Sequence, residues 1–73
     1  MATQVLAHIT GTVWKVEKKV GDRVDSGEAI VIIESMKMEM PVETDDAGRI
    51  TEILVKEGEA VTEGQPLATI ETD

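Results

Sequence analysis

Cysteine is missing from this chain of 73 residues, so neither a disulfide nor a thiolate metal site can staple it. That lack fits a reducing compartment, and a cytoplasmic location is the expectation. Phenylalanine and tyrosine are missing too, which leaves Trp14 as the single large aromatic. Basic residues are few: 7 Lys and Arg stand against 15 Asp and Glu, for a formal charge of −8. A nucleic-acid binder needs a basic stripe to displace counterions from phosphate, and an anionic membrane asks for the same. Neither is expected as a partner. Long apolar runs are also lacking. The longest, Ala29 to Ile33, is far too short to cross a bilayer. The N-terminus has no charged start followed by an apolar stretch, so no signal peptide is expected.

What is present must build one small domain, residues 1–73, from aliphatic side chains. A core of this size is marginal, because a short chain buries a smaller share of its surface on folding. Valine, isoleucine and leucine have to supply it in a compact arrangement.

The chain is written twice. Residues 11–35 lie over residues 48–72 at a constant offset of 37 positions, Gly11 onto Gly48. Gly21 and Gly27 fall on Gly58 and Gly64, Lys19 on Lys56, Val24 on Val61, Ile33 on Ile70 and Glu34 on Glu71. Near matches join Val13 to Ile50, Val16 to Ile53, Asp22 to Glu59 and Ile30 to Leu67. Each copy reads as strand, turn, short strand, turn, strand, with turn signals at Gly21-Asp22, Ser26-Gly27, Gly58-Glu59 and Glu63-Gly64. No window holds a helical stripe long enough to nucleate. Short, evenly spaced strands predict an all-β sandwich or barrel. Two like halves about a pseudo-twofold axis would share one core, and neither would fold alone. Thr44 to Gly48 reads as the loop between the halves.

The copies differ where the first runs on from Glu34-Ser35 into Met36-Lys37-Met38-Glu39-Met40. This segment is expected to turn back as a hairpin, with Lys37 exposed at its tip. Taken alone, the alternation of Met36, Met38 and Met40 is equally the pattern of one buried strand face. Its place at the midpoint of the repeat and the clustering of methionine there favour a surface instead. Soft thioethers suit a surface that several proteins must recognise. No catalytic apparatus accompanies it. His8 is the only histidine and reads as a loop residue. Ser26 and Ser35 have no plausible base, and Asp45-Asp46 reads as a solvated loop rather than a metal site.

Glu34-Ser35-Met36-Lys37-Met38-Glu39 resembles the Ala/Ser-Met-Lys-Met motif of biotinyl domains, the biotin carboxyl carrier family. Gly11-Thr12-Val13, Val20-Gly21-Asp22, Gly27, Gly48, Lys56-Glu57-Gly58 and Gly64-Gln65-Pro66-Leu67 also fall where that family has them. Methionine on both sides of the lysine separates this motif from the Asp-Lys-Ala usual in lipoyl domains. Two positions depart from the family: Ser35 where Ala is common, and His8 where Pro is common. Between Val16 and Val24 there is no room for the additional thumb segment of bacterial acetyl-CoA carboxylase carriers. The thumbless carriers, and among them the small free-standing biotin/lipoyl attachment proteins, are the nearer likeness.

The resemblance implies a flattened barrel-sandwich of two four-stranded antiparallel sheets, with the lysine on a tight turn. It implies biotin joined covalently to Lys37, with Met36 and Met38 used in recognition and Glu34, Ser35 and Glu39 flanking. It also implies three partners: a biotin protein ligase, a biotin carboxylase and a carboxyltransferase. The domain would itself be non-catalytic and, in isolation, a monomer. A lipoyl carrier, with lipoate on Lys37, and an unmodified adaptor are the alternatives.

Overall fold

A computed structural model describes residues 1–72. Every regular element among them is a strand: β1 (Ala2–Leu6), β2 (Gly11–Val16), β3 (Arg23–Val24), β4 (Ala29–Ser35), β5 (Met38–Glu43), β6 (Gly48–Ile53), β7 (Ala60–Val61) and β8 (Pro66–Thr72). They form two four-stranded antiparallel sheets, ordered β1-β8-β6-β3 and β5-β4-β2-β7. The all-β barrel-sandwich is the observed fold.

The offset of 37 seen in the sequence governs the hydrogen-bond register. Val13 pairs with Ile33 as Ile50 pairs with Ile70, and a bulge interrupts both pairings one residue later, at Trp14 and Thr51. Thr3 pairs with Ile70 as Met40 pairs with Ile33, and Val5 with Ala68 as Val42 with Val31. The structural equivalence therefore reaches back to β1 and β5, beyond residues 11–35 and 48–72. Thr44–Gly48 is accordingly not the loop between the halves. It lies inside the second half, as the counterpart of Ala7–Gly11: Thr44 N donates to Glu28 O (3.0 Å) just as Ala7 N donates to Gln65 O (2.9 Å). The junction is the β4–β5 turn. Each sheet takes two strands from each half, so neither half closes a core by itself.

Alternation along the strands sends one set of side chains inward. Ile30, Ile33, Ile50, Leu67 and Ile70 are 0–1% exposed and sit with Val5, Val13, Val24, Val31 and Val42 in one cluster. Full burial of each large aliphatic side chain contributes about 1.5–3 kcal/mol. That cluster carries the stability the missing aromatics would otherwise supply.

The turns repeat as well. Asp22 N donates to Lys19 O (3.0 Å) while Lys19 N donates back to Asp22 Oδ2 (2.8 Å), and Glu59 with Lys56 does the same at 3.1 Å in each direction. Between them Gly21 (φ 95°) and Gly58 (φ 89°) take the left-handed conformation that a type II turn requires at its third residue. Gly11 and Gly48 serve a different purpose. A Cβ on Gly11 would collide with the Glu34 carbonyl oxygen and lie 2.8 Å from Ile33 Cγ2. On Gly48 it would meet the Glu71 carbonyl oxygen, and Ile70 Cγ2 at 2.9 Å. Only glycine lets these backbones approach so closely.

Candidate functional site

Strands β4 and β5 form a hairpin closed by Ser35↔Met38, with Glu34↔Glu39 and Ile33↔Met40 behind it. Two residues, Met36 and Lys37, make the loop. Their φ angles are 52° and 64°, the pair of positive values that defines a type I′ turn. That turn matches strand twist and is normally built from Asn-Gly, because a side chain in the left-handed region costs about 1–2 kcal/mol. Here two long side chains bear that cost. Strain held in place by surrounding structure is characteristic of functional positions.

The turn projects its side chains into solvent. Met36 is 93% exposed, Met38 is 59% exposed, and Lys37 is exposed between them. Met40 alone of the three methionines is partly covered, opposite the buried Ile33. The alternation of methionines is thus not one buried strand face: Met36 lies in the turn, and Met38 lies where the barrel interior has already ended. Lys37 has no hydrogen-bond or ion-pair partner among the described residues. Glu34 and Glu39 are exposed and directly opposite each other, and Ser35 is half-buried at the strand end. What the arrangement offers chemically is a primary amine with free approach from all sides.

The remaining candidates lie apart from it. His8 is exposed in the β1–β2 connection, with Nε2 3.3 Å from Pro41 O. Asp45 and Asp46 are exposed, and Thr44 Oγ1, accepting from Asp46 N at 3.1 Å, organises their loop. No group of three or more His, Asp or Glu suited to hold a metal occurs among the described residues. A cleft of about 440 Å³ between the free edges of β1 and β5 is lined by Thr3, Leu6, His8, Val42, Glu43 and Asp46 among others, and by no residue of the turn.

Two features of the site escape sequence reasoning. The first is the left-handed backbone of Met36 and Lys37, since neither residue type signals it. The second is Gly11, which supports the hairpin by letting β2 pass directly beneath the Glu34 carbonyl. Its coincidence with Gly48 was the available signal.

A two-sheet barrel-sandwich folded from like halves, with an exposed lysine on the turn joining them, defines a class of attachment domain. Comparison with known proteins identifies the family. Residues 2–70 match the family described as "Biotin-requiring enzyme". The chain is 43% identical over 63 residues to a biotin/lipoyl attachment protein of Bacillus subtilis, covering 86% of each. It is 46% identical over 55 residues to the biotin carboxyl carrier protein of acetyl-CoA carboxylase from Nostoc, covering 75% of this chain and 30% of that protein. The crystal structure of Kluyveromyces lactis urea carboxylase contains a match with TM-score 0.92 and 38% identity, covering 97% of this chain but 6% of the carboxylase. The chain belongs to the biotin/lipoyl attachment family, and within it these relatives support the biotin carboxyl carrier role.

Proposed function

We propose that Lys37 is the residue through which residues 1–73, as a single carrier domain, hold biotin. The observation that carries this reading is the exposed amine on a strained two-residue turn at the junction of the halves. An unpartnered amine at a hairpin tip fits a covalent amide, because nothing has to be displaced before it enters another protein's active site. A biotin protein ligase, using ATP to make biotinyl-adenylate, would join the biotin carboxyl carbon to Lys37 Nζ, the amine displacing AMP and giving up protons to solvent. Loss of the ammonium would take the formal charge from −8 to −9.

When bound, biotin supplies a ureido nitrogen able to accept and give up a carboxyl group. The chain's own residues position it. Met36 and Met38 present adaptable apolar contacts on either side of the arm, while Glu34, Ser35 and Glu39 frame the strand ends that partners read. A biotin carboxylase and a carboxyltransferase would meet the arm in turn. Tethering raises its effective concentration, so each encounter needs only weak binding. The domain is itself non-catalytic, works in the cytoplasm and is a monomer when isolated.

Lipoate on the same lysine is the second reading, favoured by the Bacillus relative being named for both cofactors. Intact-mass measurement on protein from its native host separates the two, with a biotin adduct the expected result. Lys37→Arg should abolish labelling by the ligase, and Met38→Ala should weaken it with an unchanged melting temperature. Persistent labelling of Lys37→Arg would sink the assignment.

A further inference from the structure

The pseudo-twofold gives every position in one sheet a counterpart in the other, so the fold carries its own control. On the outer face of β5-β4-β2, a row runs across the strands through Pro41, Ile32 and Lys15, with Trp14 the additional residue of the β2 bulge. The matching row on the other sheet is Gln4, Thr69 and Glu52, with Thr51 in the bulge. Pro41, Ile32 and Trp14 are thus apolar where the second sheet has Gln4, Thr69 and Thr51. Gln4 and Thr51 are exposed, whereas Thr69 is buried with its Oγ1 unpartnered among the described residues, so it is at positions 14 and 41 that folding does not require an apolar side chain. Trp14, the chain's sole large aromatic, is 47% exposed here, and neither it nor Ile32 belongs to the core cluster. A half-exposed tryptophan set outward by a bulge is the kind of side chain that dominates binding energy at interfaces.

Position and area indicate the occupant. Pro41 lies three residues beyond Met38, roughly 10 Å along the strand. A protein that encloses Lys37 and binds through a standard interface needs about 800 Å² of this domain, a patch of roughly 15 Å radius. The turn alone is too small, and the face continuous with it is this one. Between row and turn stand Glu34 and Glu39, directly opposite each other and without an ion-pair partner among the described residues. Like charges so placed repel, and a cationic partner relieves them.

We infer that the outer face of β5-β4-β2 is the docking surface for the biotin protein ligase, which meets Trp14, Ile32 and Pro41 with an apolar contact and Glu34 and Glu39 with basic side chains. The inference rests on Lys37 being the ligase's target.

The test exchanges the row for its own counterpart: Trp14→Thr, Ile32→Thr and Pro41→Gln together, assayed with the host's purified ligase, ATP and biotin. The KM for the carrier should rise about tenfold or more, with kcat near that of the parent. Gln4→Ala with Glu52→Ala on the other sheet should change neither. A folded triple variant with unchanged KM overturns the docking surface while leaving Lys37 intact as the target. Failure of the parent to be labelled at Lys37 overturns the carrier reading instead. Amide shifts of the unaltered domain, titrated with ligase, make the test independent of how the variant folds. Thr12 to Lys15 and Ile32 should move while Thr51, Glu52 and Thr69 stay still, and changes confined to Ser35–Glu39 would refute the inference.

Discussion

Met36 and Lys37 hold consecutive left-handed backbone conformations, φ 52° and 64°, and no other non-glycine residue among those described has a positive φ. The strain therefore sits at the one turn that the repeat does not duplicate. A turn selected for stability would use Asn-Gly at these two positions.

Replacing the pair, Met36→Asn with Lys37→Gly, should accordingly stabilise the domain while removing its amine. Relief of two unfavourable conformations, partly offset by the freedom glycine adds to the unfolded chain, amounts to about 1–2 kcal/mol. In a domain this small, that is a rise in melting temperature of roughly 5–10 °C. Met36→Asn alone should give part of the gain and keep the lysine. Thermal unfolding checks both, and a lowered melting temperature in the double variant would refute the idea that the turn is strained.

Gly11 and Gly48 permit a different comparison, because the same steric requirement occurs once against β4, the strand that leads into the turn, and once against β8 in the other sheet. Alanine at either position drives a Cβ into a backbone carbonyl, Glu34 in one case and Glu71 in the other. Backbone cannot yield as a flexible side chain does, so each variant should lose about 1–3 kcal/mol or more in urea unfolding. Their functional effects should diverge. Gly11→Ala displaces the strand that ends in Ser35 and misplaces Lys37, whereas Gly48→Ala displaces β8. Labelling per folded molecule should fall in Gly11→Ala and hold in Gly48→Ala. Equal losses would mean that the hairpin's position does not depend on β2.

Much of the fold is legible in the sequence, for a physical reason. Close strand crossings and tight turns demand glycine, and buried positions demand aliphatic side chains, so Gly11/Gly48, Gly21/Gly58 and Ile33/Ile70 mark the repeat openly. The edge strands β1 and β5 hide it. Their equivalence is exact in register, yet between residues 2–10 and 39–47 only Val5 and Val42 are identical. Outward and end positions of an edge strand accept almost any residue, so Thr44 to Gly48 read as a loop between halves when it belongs to the second. The bulges at Trp14 and Thr51 are equally silent, because a bulge is a backbone displacement with no residue preference strong enough to see. The exposure of Lys37 at a hairpin tip was legible from its place at the midpoint of the repeat. The turn conformation that presents it was not.

The copies also part company at one ion pair, which makes stability depend on pH. Lys18 Nζ lies 2.7 Å from Glu28 Oε2, where the second half has Val55 and Gln65. The Lys18 hydrogen bond, helped by one from Asp25 N, holds the Glu28 carboxyl below the usual carboxylate range. The Glu28 hydrogen bond holds the Lys18 amine above the usual lysine range. A depressed carboxylate adds stability above its unfolded pKa of about 4.3, and this is lost as pH falls through the folded value. A raised lysine adds stability below its unfolded pKa of about 10.4, and this is lost as pH rises through the folded value. Glu28→Gln isolates the charge. Gln65 Oε1 already accepts the corresponding bond from Thr62 N at 3.1 Å, as Glu28 Oε1 does from Asp25 N at 2.9 Å, so the turn should survive. Urea unfolding should show the parent more stable than Glu28→Gln on the neutral plateau, with the gap closing in acid and again at strongly alkaline pH. Because the pair is partly exposed, added salt should narrow the gap as well. A gap that ignores pH would show that Glu28 acts through the turn and not through Lys18.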